Sequence, residues 1–204
     1  TDGTAQSIEK YLEYLDDNKI PYTDSDMSDA VYRAVKRGNT DVVKTLLRHQ
    51  EKKQEKKSKK RFKNPTQVLD NFFGRSILGD LYEYQNRTPI STAIEKGDHQ
   101  TLEALLESSL CGKLDIDRSS RYRTDMLSYA IIEGNKDVID VLLSSDKCAH
   151  LITDCKKDKE GLTPLMYAIA KRDIDTVKKI INLAREKGVI RQVLNATVSI
   201  TVDN

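Results

Sequence analysis

The chain has 204 residues, is 38% hydrophobic and 32% charged, and has a mean hydropathy of −0.59. No stretch approaches the ~18 uncharged residues of a membrane-spanning helix, and the first residues lack the basic-then-apolar order of a signal peptide, so a helical membrane protein is excluded. The net charge of +2 conceals an asymmetry: residues 51–63 carry seven Lys, one Arg and two Glu, a local +6 on a body of −4.

At roughly 150 residues per domain this is one large domain, or a smaller one with an appendage. The three cysteines, Cys111, Cys148 and Cys155, are odd in number and irregularly spaced. A disulfide framework is therefore not expected, and a reducing compartment is, either the cytoplasm or the nucleus.

The first predicted element is a helix in SIEKYLEYL, with Ser7 as its cap and Ile8, Tyr11, Leu12 and Leu15 on one face; a polar loop, YTDSDMSD, follows. After it, four nineteen-residue segments align without gaps, starting at Asp29, Thr88, Asp125 and Thr163. Their shared small residues, Ala34, Ala93, Ala130 and Ala168, are separated by 59, 37 and 38 residues, so one interval holds a long insertion.

Each segment predicts two helices. Asp or Thr at position one is a good N-cap, and Pro89 and Pro164 stand at the favoured first helical position. Nine residues on, Gly38, Gly97 and Gly134 suit a turn needing positive φ, with Asn39, Asp98, Asn135 and Asp173 next as second N-caps. Arg172 replaces the fourth glycine, at a cost on the order of 1 kcal/mol if its φ is positive. The second helices carry Val42, Val43, Leu46 and Leu47; Leu102, Leu105 and Leu106; Val138, Ile139, Leu142 and Leu143; and Val177, Ile180 and Ile181, spaced i, i+3, i+4. One helical hairpin cannot bury such a stripe alone, so neighbouring units are expected to stack.

TPLMYA and TPISTA, the turn glycines and the V-x-x-L-L endings resemble the ankyrin repeat family, and DKEGLTPL resembles that family's hairpin tip. The resemblance spans residues 29–185. It implies an all-α fold: an ankyrin-repeat solenoid of stacked helix-turn-helix units with an N-terminal capping helix and a long basic insertion. The expected divisions are a capping helix and loop (1–28), repeat one (29–48), the Lys-rich and apolar insertion (49–86), repeat two (87–114), an extended hairpin with repeat three (115–152), repeat four (153–187) and a C-terminal segment leading into a further repeat (188–204). Leu194-Asn195-Ala196 resembles an inter-repeat segment, and Thr201 falls where a fifth repeat would begin, so the chain is expected to be part of a longer protein. Ser91, Ser128 and Met166 occupy the family's usual His position, which removes its Thr–His hydrogen bond.

The insertion lacks helix breakers until Asn64-Pro65, so the second helix of repeat one is expected to run on by two to four turns, projecting its basic residues from the stack. A short helix near Pro65, carrying Val68, Leu69, Phe72 and Phe73, is expected to fold back. GKLDIDRSSRYRT is expected to lengthen the hairpin before repeat three.

Signatures of chemistry are sparse. There is no Gly-rich phosphate loop, H-E-x-x-H or G-x-S-x-G, and the three histidines, His49, His99 and His150, fall in different repeats. Cys148, His150 and Cys155 come nearest to a metal set, but structural zinc usually takes four ligands at C-x₂₋₄-C spacing. Cys155 with His150 in a hairpin lacks a nameable third group for nucleophilic catalysis. No enzyme activity, cofactor or metal is expected.

KKSKKRFK admits three readings: a solvated helix extension, a nuclear-localisation sequence, or a contact for nucleic acid or anionic membrane through residues 51–63, with Lys56, Lys57, Lys59, Lys60 and Arg61 carrying it. Phe62 is its sole interleaved aromatic, fewer than base stacking usually wants. The ankyrin resemblance implies a different role, recognition of a partner protein by a monomer through the concave face. Carried over by position, the contacts are Tyr84, Gln85 and Arg87; Arg121 and Tyr122; Lys159 and Glu160 at the tips; and Glu95, Lys96, Ile132, Glu133 and Lys171 at the ends of first helices. Arg121, Tyr122 and Ile132 fit the hot-spot preference for Arg and Tyr beside an apolar anchor. The irregular insertions resemble those of effector proteins from intracellular bacteria, which would imply the host cell cytoplasm. An alternative role is the accessory arm of an enzyme whose catalytic domain lies outside this chain.

Overall fold

A computed structural model describes residues 2–61, 88–111, 124–153, 158 and 160–198. Its elements are α1 (Asp2–Asp17), α2 (Asp24–Arg37), α3 (Thr40–Arg61), α4 (Pro89–Lys96), α5 (His99–Glu107), α6 (Met126–Glu133), α7 (Lys136–Ser144), a 3₁₀ turn (Asp146–Cys148), α8 (His150–Thr153), α9 (Pro164–Ala170), α10 (Ile174–Glu186) and α11 (Ile190–Val198). Among the described residues the protein is all-α, and no helix is long and apolar enough to cross a membrane. The chain divides into two compact units, Thr1–Ala93 with Gln100–Lys113, and Ile94–His99 with Leu114–Asn204.

In the first unit α1 and α2 both pack on α3, burying Leu12, Met27, Val31, Val35, Val42, Val43, Leu46 and Leu47. Three sequence expectations change here. Helix α1 is already formed at Asp2, so Ser7 lies inside it rather than capping it, and Tyr11 points outward at 60% exposure while Leu12 makes the buried contact. Helix α2 starts at Asp24, within the stretch expected to be loop and ahead of Asp29. Thr23 and Asp26 form a capping box there: Asp26 N–H donates to Thr23 Oγ1 (3.1 Å), and Thr23 N–H donates to Asp26 Oδ2 (2.7 Å). The bond from Thr23 N–H, joined by one from the Thr23 hydroxyl (2.7 Å), holds the Asp26 carboxyl below its ordinary range. Helix α3 does extend through the basic run, for 22 residues or roughly 33 Å.

The start of that extension does not project. Gln50 is buried, its Nε2 on Asp24 Oδ1 at 2.7 Å. Glu51 Oε1 accepts from Ser108 Oγ (2.7 Å) and from Ser109 N–H (2.8 Å) and Oγ (3.1 Å), tying α3 to the residues that follow α5.

The second unit is built on two successive helical hairpins, α6–α7 and α9–α10. Helix α6 packs on α9 and α7 on α10, with α11 against α9 and α10. Ala130, Ile139, Leu142, Ala168 and Ile180 are almost fully buried, and each large aliphatic contributes about 1.5–3 kcal/mol. Leu143, Val177 and Ile181 are only half-buried. Residues 190–198 form α11, a correction to the inter-repeat segment read at Leu194–Ala196. His150 opens α8 rather than lying in a hairpin. The segments expected at Val68–Phe73 and from Gly112 to Arg123 lie outside the described residues, as do Cys155 and Thr201.

Local caps account for the helix boundaries. At position one, Ser91 N–H donates to Thr88 Oγ1 (3.1 Å), Ser128 N–H to Asp125 Oδ1 (2.9 Å) and Met166 N–H to Thr163 Oγ1 (3.4 Å). The serines at position four add a second bond to position one, since Thr88 N–H donates to Ser91 Oγ (2.9 Å) and Ser128 Oγ to Asp125 Oδ2 (2.6 Å). The turns are left-handed as the glycines require, with φ of 73° at Gly38, 67° at Gly97 and 79° at Gly134; Arg172 takes the same conformation at 56°.

Candidate functional site

Three of the sequence-predicted contacts of the second unit, Ile132, Glu133 and Lys171, lie where first helices end. Lys171 Nζ donates to the Ile132 carbonyl oxygen (2.8 Å), which joins the end of α9 to the end of α6. Ile132 is half-buried, and Glu133 beside it is exposed. Two further ties run between these hairpins: Lys136 to Asp175 Oδ2 (3.4 Å) and Lys179 to Asp140 Oδ1. All three join residues 39 apart. The hairpins therefore stack in one constant register.

Between the two turns lies an open groove of about 570 Å³, lined by Ile131, Gly134, Lys136, Lys171, Arg172, Asp173, Ile174 and Asp175. The Asp173 carboxylate is committed to its cap, accepting from Thr176 N–H (3.2 Å) and Oγ1 (2.8 Å); the hydroxyl bond is the main cause of its lowered pKa. Ile174 is 65% exposed. Ile174, Lys136 and Asp175 were not singled out from the sequence, and Arg172 was noted only for its backbone. A signal existed, since Ile174 is the apolar residue in a column otherwise holding Thr40, His99 and Lys136.

Other predicted contacts fall elsewhere. Glu160 is exposed in the turn before α9, at the opposite end of that seven-residue helix from Lys171, roughly 10 Å along the axis. Glu95 is half-buried and Lys96 exposed at the end of α4. Tyr84, Gln85, Arg87, Arg121, Tyr122 and Lys159 lie outside the described residues.

The basic run begins in the first unit against an acidic wall. A groove of about 370 Å³ is lined by Glu9, Glu13, Asp16 and Asp17 of α1 and by Arg48, His49, Lys52, Lys53 and Lys56 of α3. Tyr22 bridges two of these lining residues: its hydroxyl donates to Asp16 Oδ1 (3.0 Å) and lies 2.6 Å from His49 Nε2, while Lys53 Nζ sits 3.3 Å from its ring centroid. Burial pushes the His49 pKa down, and burial with the Asp16 bond pushes the Tyr22 hydroxyl up. Lys56 is exposed, and Lys57, Lys59, Lys60 and Arg61 continue α3.

Among the described residues no group of three His, Cys, Asp or Glu side chains is placed to hold a metal, and Cys111 and Cys148 are buried. Comparison with protein-family models, curated proteins and solved structures finds no match to this chain.

Proposed function

We propose that this chain is a protein-recognition module of the ankyrin-repeat type, in which stacked helix-turn-helix units present the ends of their first helices to a partner protein. The observation that carries this reading is the constant 39-residue register of the three ties between α6–α7 and α9–α10. Hairpins stacked at fixed register hold Ile132, Glu133 and Lys171 on rigid elements, so little ordering entropy is lost on binding. Protein recognition is preferred to phosphate binding because Lys52, Lys53 and Lys56 line a groove with four carboxylates of α1, which offset their field.

The test is a pull-down from nuclease-treated cytosolic extract at about 150 mM salt, where screening acts beyond ~8 Å. Wild type is compared with Ile132→Ala/Glu133→Ala and with a variant neutralised at Lys56, Lys57, Lys59, Lys60 and Arg61. The expected result is a protein retained by the neutralised variant and lost by the double variant. Capture that follows the basic run, or disappears with nuclease, overturns the reading.

A further inference from the structure

Resting on that reading, we propose that the groove between the two turns of the second unit takes an acidic segment of the partner protein, with a carboxylate on Arg172 and an adjacent apolar side chain on Ile174. Four observations lead there.

The first is charge. Five ionic side chains line the groove: Lys136, Lys171, Arg172, Asp173 and Asp175. Asp173 is occupied by Thr176, and Asp175 is paired with Lys136 at 3.4 Å. Lys171 donates to a carbonyl oxygen, which leaves its charge uncompensated, and Arg172 has no carboxylate partner among the described residues. Asp173 keeps its negative charge although hydrogen-bonded, so three cations and two anions leave the groove a net +1, and Arg172 offers a guanidinium able to take a carboxylate by two parallel hydrogen bonds.

The second is the backbone. The same turn is made by glycine at Gly38, Gly97 and Gly134, whereas Arg172 holds φ at 56°, a conformation that disfavours a side chain. At this turn the chain carries a long cation where the other three carry glycine, which puts a guanidinium at the rim of the groove.

The third is the wall. Ile174, 65% exposed, adjoins the cations, so the ligand offers apolar as well as acidic groups. The fourth is what the wall lacks: no aromatic side chain lines the groove, so bases have nothing to stack on, and a peptide fits better than a nucleic acid.

A phage-displayed library of random peptides about 12 residues long, panned against the full chain, tests this directly. The expected consensus places Asp or Glu next to Leu, Ile or Phe. A synthetic consensus peptide should bind Arg172→Gly about tenfold or more weakly than wild type, although that variant unfolds no earlier on heating; Ile174→Ser should weaken binding several-fold. An enriched consensus without acidic residues, undiminished binding to Arg172→Gly, tighter binding of a dT oligonucleotide, or no enrichment each overturns the proposal. If an extract protein is captured through Ile132 and Glu133 yet held equally by Arg172→Gly, this inference fails and the recognition module stands. If nothing is captured by any variant, both fail.

Discussion

Tyr167 and Asp158, nine residues apart, are joined by a 2.5 Å hydrogen bond from the tyrosine hydroxyl to carboxylate Oδ2. The other oxygen of Asp158 accepts from the backbone N–H groups of Glu160 and Leu162, both at 2.9 Å. One carboxylate thus folds the turn before α9 and clamps it to the helix. Tyr167→Phe should cost about 1 kcal/mol, and Asp158→Ala about 2–3 kcal/mol, since it removes three bonds. Burial and this bond also raise the Tyr167 hydroxyl pKa. The folded state then holds the proton more tightly than the unfolded chain, so this contribution is present below pH ~10 and is lost as pH rises through the folded value. Ultraviolet titration should show Tyr167 ionising later than a free tyrosine, and Asp158→Asn should bring it earlier.

Gly97 is fixed for two reasons. Its φ is 67°, and a Cβ built there would run into the Asn135 carboxamide, which caps α7 by accepting from Val138 N–H (3.2 Å). Gly97→Ala should therefore cost about 2 kcal/mol, combining left-handed strain with a displaced cap. Gly134→Ala meets no neighbouring atom within 4 Å and should cost about 1 kcal/mol. Denaturant melts of the two variants measure the difference.

Asp125 is a buried carboxyl whose pKa is raised by desolvation, against the opposing bonds from Ser128. With the folded value above the unfolded one, its contribution is complete below the ordinary carboxylate range and is lost as pH rises through the folded pKa. Asp125→Thr installs the residue found at Thr88 and Thr163, keeping an acceptor for Ser128 N–H without a buried charge. Relative to wild type, that variant should gain stability as pH rises from about 4 towards neutrality, as read from melts across pH.

Glu51 separates two roles of the basic helix. Glu51→Ala should destabilise the first unit by about 2 kcal/mol, because three donors from Ser108 and Ser109 lose one acceptor. Lys52→Ala and Lys56→Ala, both at exposed positions, should stay within about 0.5 kcal/mol. Equal effects at all three positions would contradict the anchoring role.

What could be read in the sequence follows the range of each interaction. The caps at Asp125, Asn135, Thr163 and Asp173 join residues three apart, so residue type and spacing suffice to place them. Thr23 and Asp26 are as local, but aligning Asp29 with Thr88 drew the boundary past the capping box that starts α2. Glu51 finds its partners 57 and 58 residues away, and Lys171 finds Ile132 39 away; nothing in either neighbourhood announces them. Tyr11 shared a helical stripe with Leu12, and only the packing of α1 on α3 decides which of them is buried.

The first turn of α3 touches α5 through Thr40 and Thr101, hydroxyl to hydroxyl at 2.7 Å and 61 residues apart, while the first turn of α7 touches α10 through Lys136 and Asp175, 39 apart. Equivalent places in successive hairpins thus meet across very different lengths of intervening chain. Linker length is a free variable in this architecture: foreign sequence can be spliced between hairpins and leave their contacts as they were, whereas one residue added inside a helix would rotate everything beyond it by about 100°. The protein tolerates growth at its connections and forbids it within its rungs.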